Sequence, residues 1–161
     1  MDHNDRLRLD NQVCFAVYAT SRAMTLAYRP LLDKLGLTYP QYLVMLVLWE
    51  QDGITVGELG GRLYLDSGTL TPLLKRLQSA GLVTRARRQG DEREVELGLT
   101  RAGNLLKQKA ASVPRDIFCK ADGAGVDLRE LRADLKKVIA ALQASMRGAD
   151  EVPQNRNRPG H

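Results

Sequence analysis

Between Thr55 and Leu99 the apolar pattern changes period, from helical spacing to strict alternation, and this block restricts the fold more than any other stretch. Thr55-Val56-Gly57-Glu58 has the spacing of a capping box, in which a hydroxyl and a carboxylate satisfy each other's orphan backbone N–H groups. It predicts a short helix to about Tyr64. Asp66-Ser67 can cap a second helix, with Leu70, Leu73, Leu74 and Leu77 on its buried face and Gly81 ending it. Two short helices joined by a few residues make a helix-turn-helix. Past Gly81, residues 82–87 read as a strand, residues 88–93 as a turn, and residues 94–99 as the return strand. In that return strand Val95, Leu97 and Leu99 alternate with polar or small residues. The expected fold class is mainly α with a small β-wing: a winged helix-turn-helix spanning residues 37–100.

The flanks read as helices. Val13, Ala16, Val17, Ala23, Met24 and Ala27 recur at helical spacing, with Thr20 on the same face. Pro30 should bend or restart that helix, and Gly36 suits a cap after Leu35. Thr38-Tyr39-Pro40-Gln41 is a further capping-box spacing. The run from Tyr42 to Trp49 is apolar on nearly all sides, so its helix should be buried. Thr100 can cap a helix carrying Leu105 and Leu106. Ser112-Val113-Pro114 marks a break, and a short helical piece from Asp116 to Lys120 holds Cys119. Asp127 then opens a long helix with an apolar stripe of Leu128, Leu131, Leu135, Val138, Leu142 and Met146. Residues 148–161 turn polar with two prolines, and disorder is expected there.

Charge and cysteine usage narrow the function classes. The net charge of +5 permits a polyanionic partner. The first ten residues lack the basic start and apolar core of a secretory signal, and the longest apolar run, Leu43 to Trp49, is too short to cross a bilayer. A cytosolic protein without membrane association is expected, in a compartment where thiols are kept reduced. The two cysteines, Cys14 and Cys119, are then a transient regulatory pair, metal ligands, or unrelated. Metal is disfavoured because there is no CxxC and the histidines, His3 and His161, sit at opposite ends. No nucleotide loop, hydrolytic triad or paired-carboxylate site is visible, and no cofactor is expected.

Between Asp66 and Asp91 lie Lys75, Arg76, Arg85, Arg87 and Arg88, with no acidic residue among them. With the leucines facing inward, Ser67, Thr69, Thr71, Lys75 and Gln78 face mostly outward. Short hydroxyl side chains near a helix N-terminus can reach base edges or phosphates, while lysine and arginine neutralise phosphate. The wing arginines Arg87, Arg88 and Arg93 can reach an adjacent minor groove or backbone. Charge alone would fit a solvated face equally well; a helix-turn-helix and wing carrying it favour double-stranded DNA.

The stretch from Leu77 to Arg85, then Asp91-Glu92-Arg93, then Leu99-Thr100-Arg101-Ala102-Gly103, resembles the winged-helix signature of the MarR family, with Asp91 and Arg93 in the wing. The resemblance implies a homodimer whose N- and C-terminal helices, here residues 1–36 and 101–147, interlock and present two recognition helices to a near-palindromic site. Cys14-Phe15-Ala16-Val17-Tyr18, Arg22-Ala23-Met24, the run from Ala27 to Leu32 and that from Leu37 to Leu43 resemble the OhrR branch, the organic-hydroperoxide-sensing repressors. By that resemblance Cys14 is the peroxide-reactive cysteine, and Tyr28 and Tyr39 of the partner subunit hydrogen-bond it. Cys119 is the resolving cysteine of a disulfide between subunits. The chemistry is coherent, since the thiolate is the nucleophile and phenolic donors stabilise it without adding charge. Two alternatives remain: a MarR-type repressor answering a phenolic or aromatic ligand, with incidental cysteines, and a thiol peroxidase. The basic recognition helix argues against an enzyme.

Overall fold

The structure, a computed structural model, describes residues 5–88, 91–121 and 125–150, and only the backbone of residues 88, 91–93, 120, 121 and 147–150. It divides into two units, one reaching Cys119 and one beginning at Lys120. In the first, two 3-10 turns precede helix α1 (Val13–Leu32), followed by α2 (Tyr39–Glu50), strand β1 (Ile54–Thr55), α3 (Val56–Leu63), α4 (Ser67–Ser79), β2 (Val83–Arg88), β3 (Asp91–Leu99), α5 (Arg101–Ala110) and α6 (Val113–Ala121). The second unit contains α7 (Leu128–Asp150). Among the described residues no helix is long and apolar enough to cross a membrane.

Helix α2 is the hub. It packs against α1, α3, α4, α5 and β3, and it buries Tyr42, Val44, Met45, Val47, Leu48 and Trp49. Leucines at 70, 74 and 77 seat α4 on that core, beside Leu59, Ile54, Val83 and Leu97. Truncating a leucine this deeply buried costs about 2–5 kcal/mol. The ends of α3 and α4 are fixed by the predicted caps. The Thr55 N–H donates to Glu58 Oε2 at 2.7 Å while the Glu58 N–H donates to Thr55 Oγ1 at 3.1 Å. Asp66 Oδ1 accepts from the Thr69 N–H at 2.9 Å. At α2, Gln41 Oε1 accepts both the Thr38 N–H, at 2.8 Å, and its hydroxyl, at 3.0 Å.

The three-stranded antiparallel sheet has the order β1-β3-β2. Val83 lies opposite Leu99, Arg85 opposite Leu97 and Arg87 opposite Val95. The expected wing needs two corrections. Strand β3 begins at Asp91, so the turn is shorter than residues 88–93; a charged stretch held by backbone pairing carries no alternation to read. Strand β1, pairing Ile54 with Leu97, is too short to leave a pattern.

Pro30 does not restart α1. It lies in the last turn, where the missing N–H removes one bond, and α1 runs on to Leu32. A 3-10 turn over Asp33–Leu35 follows and closes at Gly36, whose φ of 67° is the left-handed geometry expected of a glycine cap. Helix α7 continues through Asp150, past Gly148 where the disordered tail was expected to begin. Residues 151–161 of that tail lie outside the described residues.

The apolar face of α1 is bare in the single chain, with Val13 77%, Val17 48% and Met24 40% exposed. In the second unit, Leu135, Val138, Leu142 and Met146 of α7 are likewise exposed.

Candidate functional site

Helix α4 presents Ser67, Thr69, Lys75, Arg76 and Gln78 to solvent and leaves Thr71 half-buried. Two hydroxyl protons are already committed: Thr69 donates to Asp66 Oδ2 at 2.8 Å and Thr71 to the Ser67 carbonyl at 2.7 Å. Outward, these threonines therefore offer acceptor oxygens and methyl groups. The Thr69 backbone and hydroxyl donors hold the Asp66 carboxyl below its ordinary range, so the cap is an anion at neutral pH. On the wing, Arg87 is exposed. Arg88 pairs with Asp91 through the backbone at the hairpin tip. The side chains of Arg88, Asp91 and Arg93 lie outside the described residues.

Arg85, counted in the basic stretch but not assigned a contact, has a distinct setting. Its Nε is shielded from solvent and has no hydrogen-bond partner among the described residues. It lines a cleft of about 370 Å³ with Thr55, Val56, Gly57, Ser67, Thr71, Glu94 and Val95. Only the fold shows this, because Arg85 reads in sequence like its basic neighbours.

Cys14 lies in the first turn of α1 and Cys119 on α6; both are exposed free thiols. Tyr28 and Tyr39 lie elsewhere, half-buried, with ring centroids 4.8 Å apart. Tyr42 joins them 5.9 Å from Tyr28 and meets Trp49 edge-on at 6.2 Å. Burial, then the neighbouring Tyr39 phenol, raises the Tyr28 pKa, and burial raises that of Tyr39. Tyr42 is pushed up to about 12, by burial first and by the other two phenols after it. The pair is therefore neutral and proton-donating throughout the physiological range. Sequence reading missed Tyr42 and Trp49 as members of this cluster. Their spacing from Tyr39 along one helix was the available signal, hidden because everything around them is also apolar.

The structure brings Tyr28 and Tyr39 together and places Cys14 away from both. Fourteen residues separate Cys14 from Tyr28 on one unbroken helix, about 21 Å along its axis. Among the described residues no cluster of three or more His, Cys, Asp or Glu side chains is placed to hold a metal ion.

Comparison with known proteins gives the same architecture. The sequence profile of the MarR family matches residues 37–95. The organic hydroperoxide resistance transcriptional regulator of Bacillus subtilis is 51% identical over 138 residues, covering 86% of this chain and 94% of that protein. The structure of reduced AbfR bound to DNA aligns with a TM-score of 0.71 at 34% identity, over 90% of this chain and 99% of that one. The structure of disulfide-formed AbfR aligns at 0.56 and 39% identity, over 84% and 96%.

Proposed function

The chain belongs to the MarR family, and on that premise we propose that it is a dimeric DNA-binding repressor released from its operator when Cys14 is oxidised by an organic hydroperoxide. The observation that carries the sensing half is the separation just described. A thiol about 21 Å along α1 from Tyr28 cannot be hydrogen-bonded by its own subunit's Tyr28, whose ring lies tilted against that of Tyr39. A second copy laid across the bare face of α1 supplies the pair in trans. In this assembly residues 1–36 and 101–147 form the dimerisation region, residues 37–100 read DNA, and the exposed stripes of α1 and α7 are covered.

The chemistry follows from the groups present. The Cys14 thiolate attacks an oxygen of the hydroperoxide, the O–O bond breaks, and an alcohol leaves after protonation, giving a sulfenic acid. Phe15 and Val17, within one turn of the thiol, favour greasy peroxides, while Met24 lies about 15 Å further along α1 and reaches a thiol only across subunits. The Cys119 thiol of the partner subunit then condenses with the sulfenic acid, forming the disulfide and releasing water. Oxidation removes the thiolate that the phenols were bonded to, and the resulting helix shift separates the recognition helices from their grooves. Contacts to DNA are assigned to Ser67, Thr69, Thr71, Lys75, Arg76 and Gln78 of α4 and to Arg87, Arg88, Asp91 and Arg93 of the wing. The similar AbfR, solved reduced on DNA and in a disulfide form, supports this reading.

The test is a gel shift with cumene hydroperoxide, before and after dithiothreitol. Wild type is expected to be released and then restored, while Cys14→Ser binds DNA and ignores the peroxide. Release of that variant by peroxide would sink the sensing model. Cys119→Ser is expected to stop at sulfenic acid or a mixed disulfide. Absence of a cross-linked band for oxidised wild type on a non-reducing gel would remove the two-cysteine version.

One observation favours a second reading. The Arg85 cleft beside α4 has the size and the unpaired donor to take a small phenolic or aromatic anion. That reading predicts release by such a ligand, unaffected by reductant and weakened by Arg85→Ala. A thiol peroxidase, by contrast, would show sustained peroxide turnover with a reductant.

A further inference from the structure

Tyr64 is the one non-glycine residue with positive φ among the described residues, at φ 55° and ψ 39°. The other left-handed positions, 36, 53, 81 and 125, are all glycine. A side chain bearing a Cβ is disfavoured in that region, and a bulky one more so. Among the described residues the chain thus uses glycine wherever a turn takes this geometry, except between α3 and α4.

The turn does not let Tyr64 relax. The Tyr64 N–H closes α3 onto the Gly60 carbonyl, and the Leu65 N–H reaches the same oxygen at 3.0 Å. A Cβ on Gly60 would stand 2.7 Å from the Leu65 carbonyl, so the backbone folds back tightly there. Arg62, two residues earlier in the last turn of α3, is ion-paired to Glu50 of α2 and ties the end of α3 to the core. Left-handed geometry at position 64 is therefore imposed, and glycine would supply it without strain.

What the tyrosine gains is not internal. It is 62% exposed, and its hydroxyl makes no hydrogen bond among the described residues. It precedes the α4 cap, Asp66, by two residues. In a helix-turn-helix the start of the second helix enters the major groove, so a side chain in the preceding turn stands beside the groove edge, where phosphates line up. Tyrosine is among the neutral side chains that bond phosphate oxygens. Strain kept at an exposed position points to a use outside the fold.

We propose that Tyr64 is a DNA-backbone contact, its phenol donating to a phosphate at the edge of the groove that α4 enters. This rests on the DNA-binding reading above. As a phosphate contact it adds affinity and sets register without reading sequence. As an uncharged one it leaves the salt dependence of binding unchanged, unlike Lys75 or Arg76.

The test uses the full-length reduced protein, a duplex that wild type selects from a random pool, and an unrelated duplex of equal length. Tyr64→Gly is expected to melt at or above the wild-type temperature, because the strain is relieved, yet to bind both duplexes about tenfold or more weakly. Tyr64→Phe, which keeps the ring and loses the hydroxyl, should show most of that loss. The slope of log affinity against log salt should stay at the wild-type value in both. Wild-type affinity for either variant overturns the phosphate contact while leaving the DNA-binding reading intact. Loss confined to the selected duplex also overturns it, since that is base reading. Failure of wild type to select any duplex would overturn the DNA-binding reading itself.

Discussion

At the residue scale the Tyr42 hydroxyl and the Trp49 indole show how polar atoms enter an apolar helix. The Trp49 Nε1–H donates to the Gly103 carbonyl at 2.9 Å, and the Lys107 ammonium donates to the Trp49 carbonyl at 2.7 Å. These contacts lock the end of α2 to α5. Gly103 is the residue that fits, because a Cβ there would lie 2.2 Å from the Leu82 carbonyl. Tyr42 is 1% exposed, and its pKa of about 12 has a consequence for stability. The unfolded phenol ionises near 10. Folding keeps Tyr42 protonated, so its contribution is complete below about pH 10 and is lost as pH rises towards 12. Tyr28 and Tyr39, also raised, act in the same direction. Thermal melts between pH 9 and 12 should show the midpoint falling, and Tyr42→Phe should fall less steeply; an equal slope would count against the assignment.

At the element scale the short helices depend on their ends. Helix α3 has eight residues, too few to persist through propensity alone, and its first turn is closed by the reciprocal Thr55–Glu58 bonds. Thr55→Ala removes one of them and is expected to cost about 1 kcal/mol, read as a lower urea midpoint at unchanged slope. The caps were legible because a capping box is a local, four-residue code. The wing was less legible. Its return strand alternates at Val95, Leu97 and Leu99, of which Leu97 and Leu99 join the core, whereas the sequence from Asp91 to Glu94 is an unbroken charged run with no apolar period to mark a strand. Pro30 misled for a similar reason. A proline signals a break only if the helix must continue far beyond it, and α1 ends two residues later.

At the scale of the whole molecule, the bare apolar faces of α1 and α7 call for a covering partner. Sedimentation is expected to find a dimer at micromolar concentration, with a melting temperature that rises with protein concentration. A monomer at those concentrations would contradict the assembly from which Tyr28 and Tyr39 reach a second subunit's Cys14. On the proposed DNA-binding reading, operator binding should weaken steeply between about 50 and 200 mM salt, as follows if several of the assigned basic residues neutralise phosphates. Lys75→Ala should lower that slope by about one per contact removed.

The sequence by itself determined the helix-turn-helix, its caps, the wing and the basic face of α4, because each depends on residues close together along the chain. It also marked Cys14, Tyr28 and Tyr39 through resemblance to a family. Tertiary structure alone decided that the two tyrosine rings meet while Cys14 lies a helix length away, that Arg85 Nε is shielded without a partner among the described residues, and that Tyr64 carries the left-handed turn. Those facts depend on distances through space and on backbone angles set by the packing of distant segments. No local period in the chain encodes them.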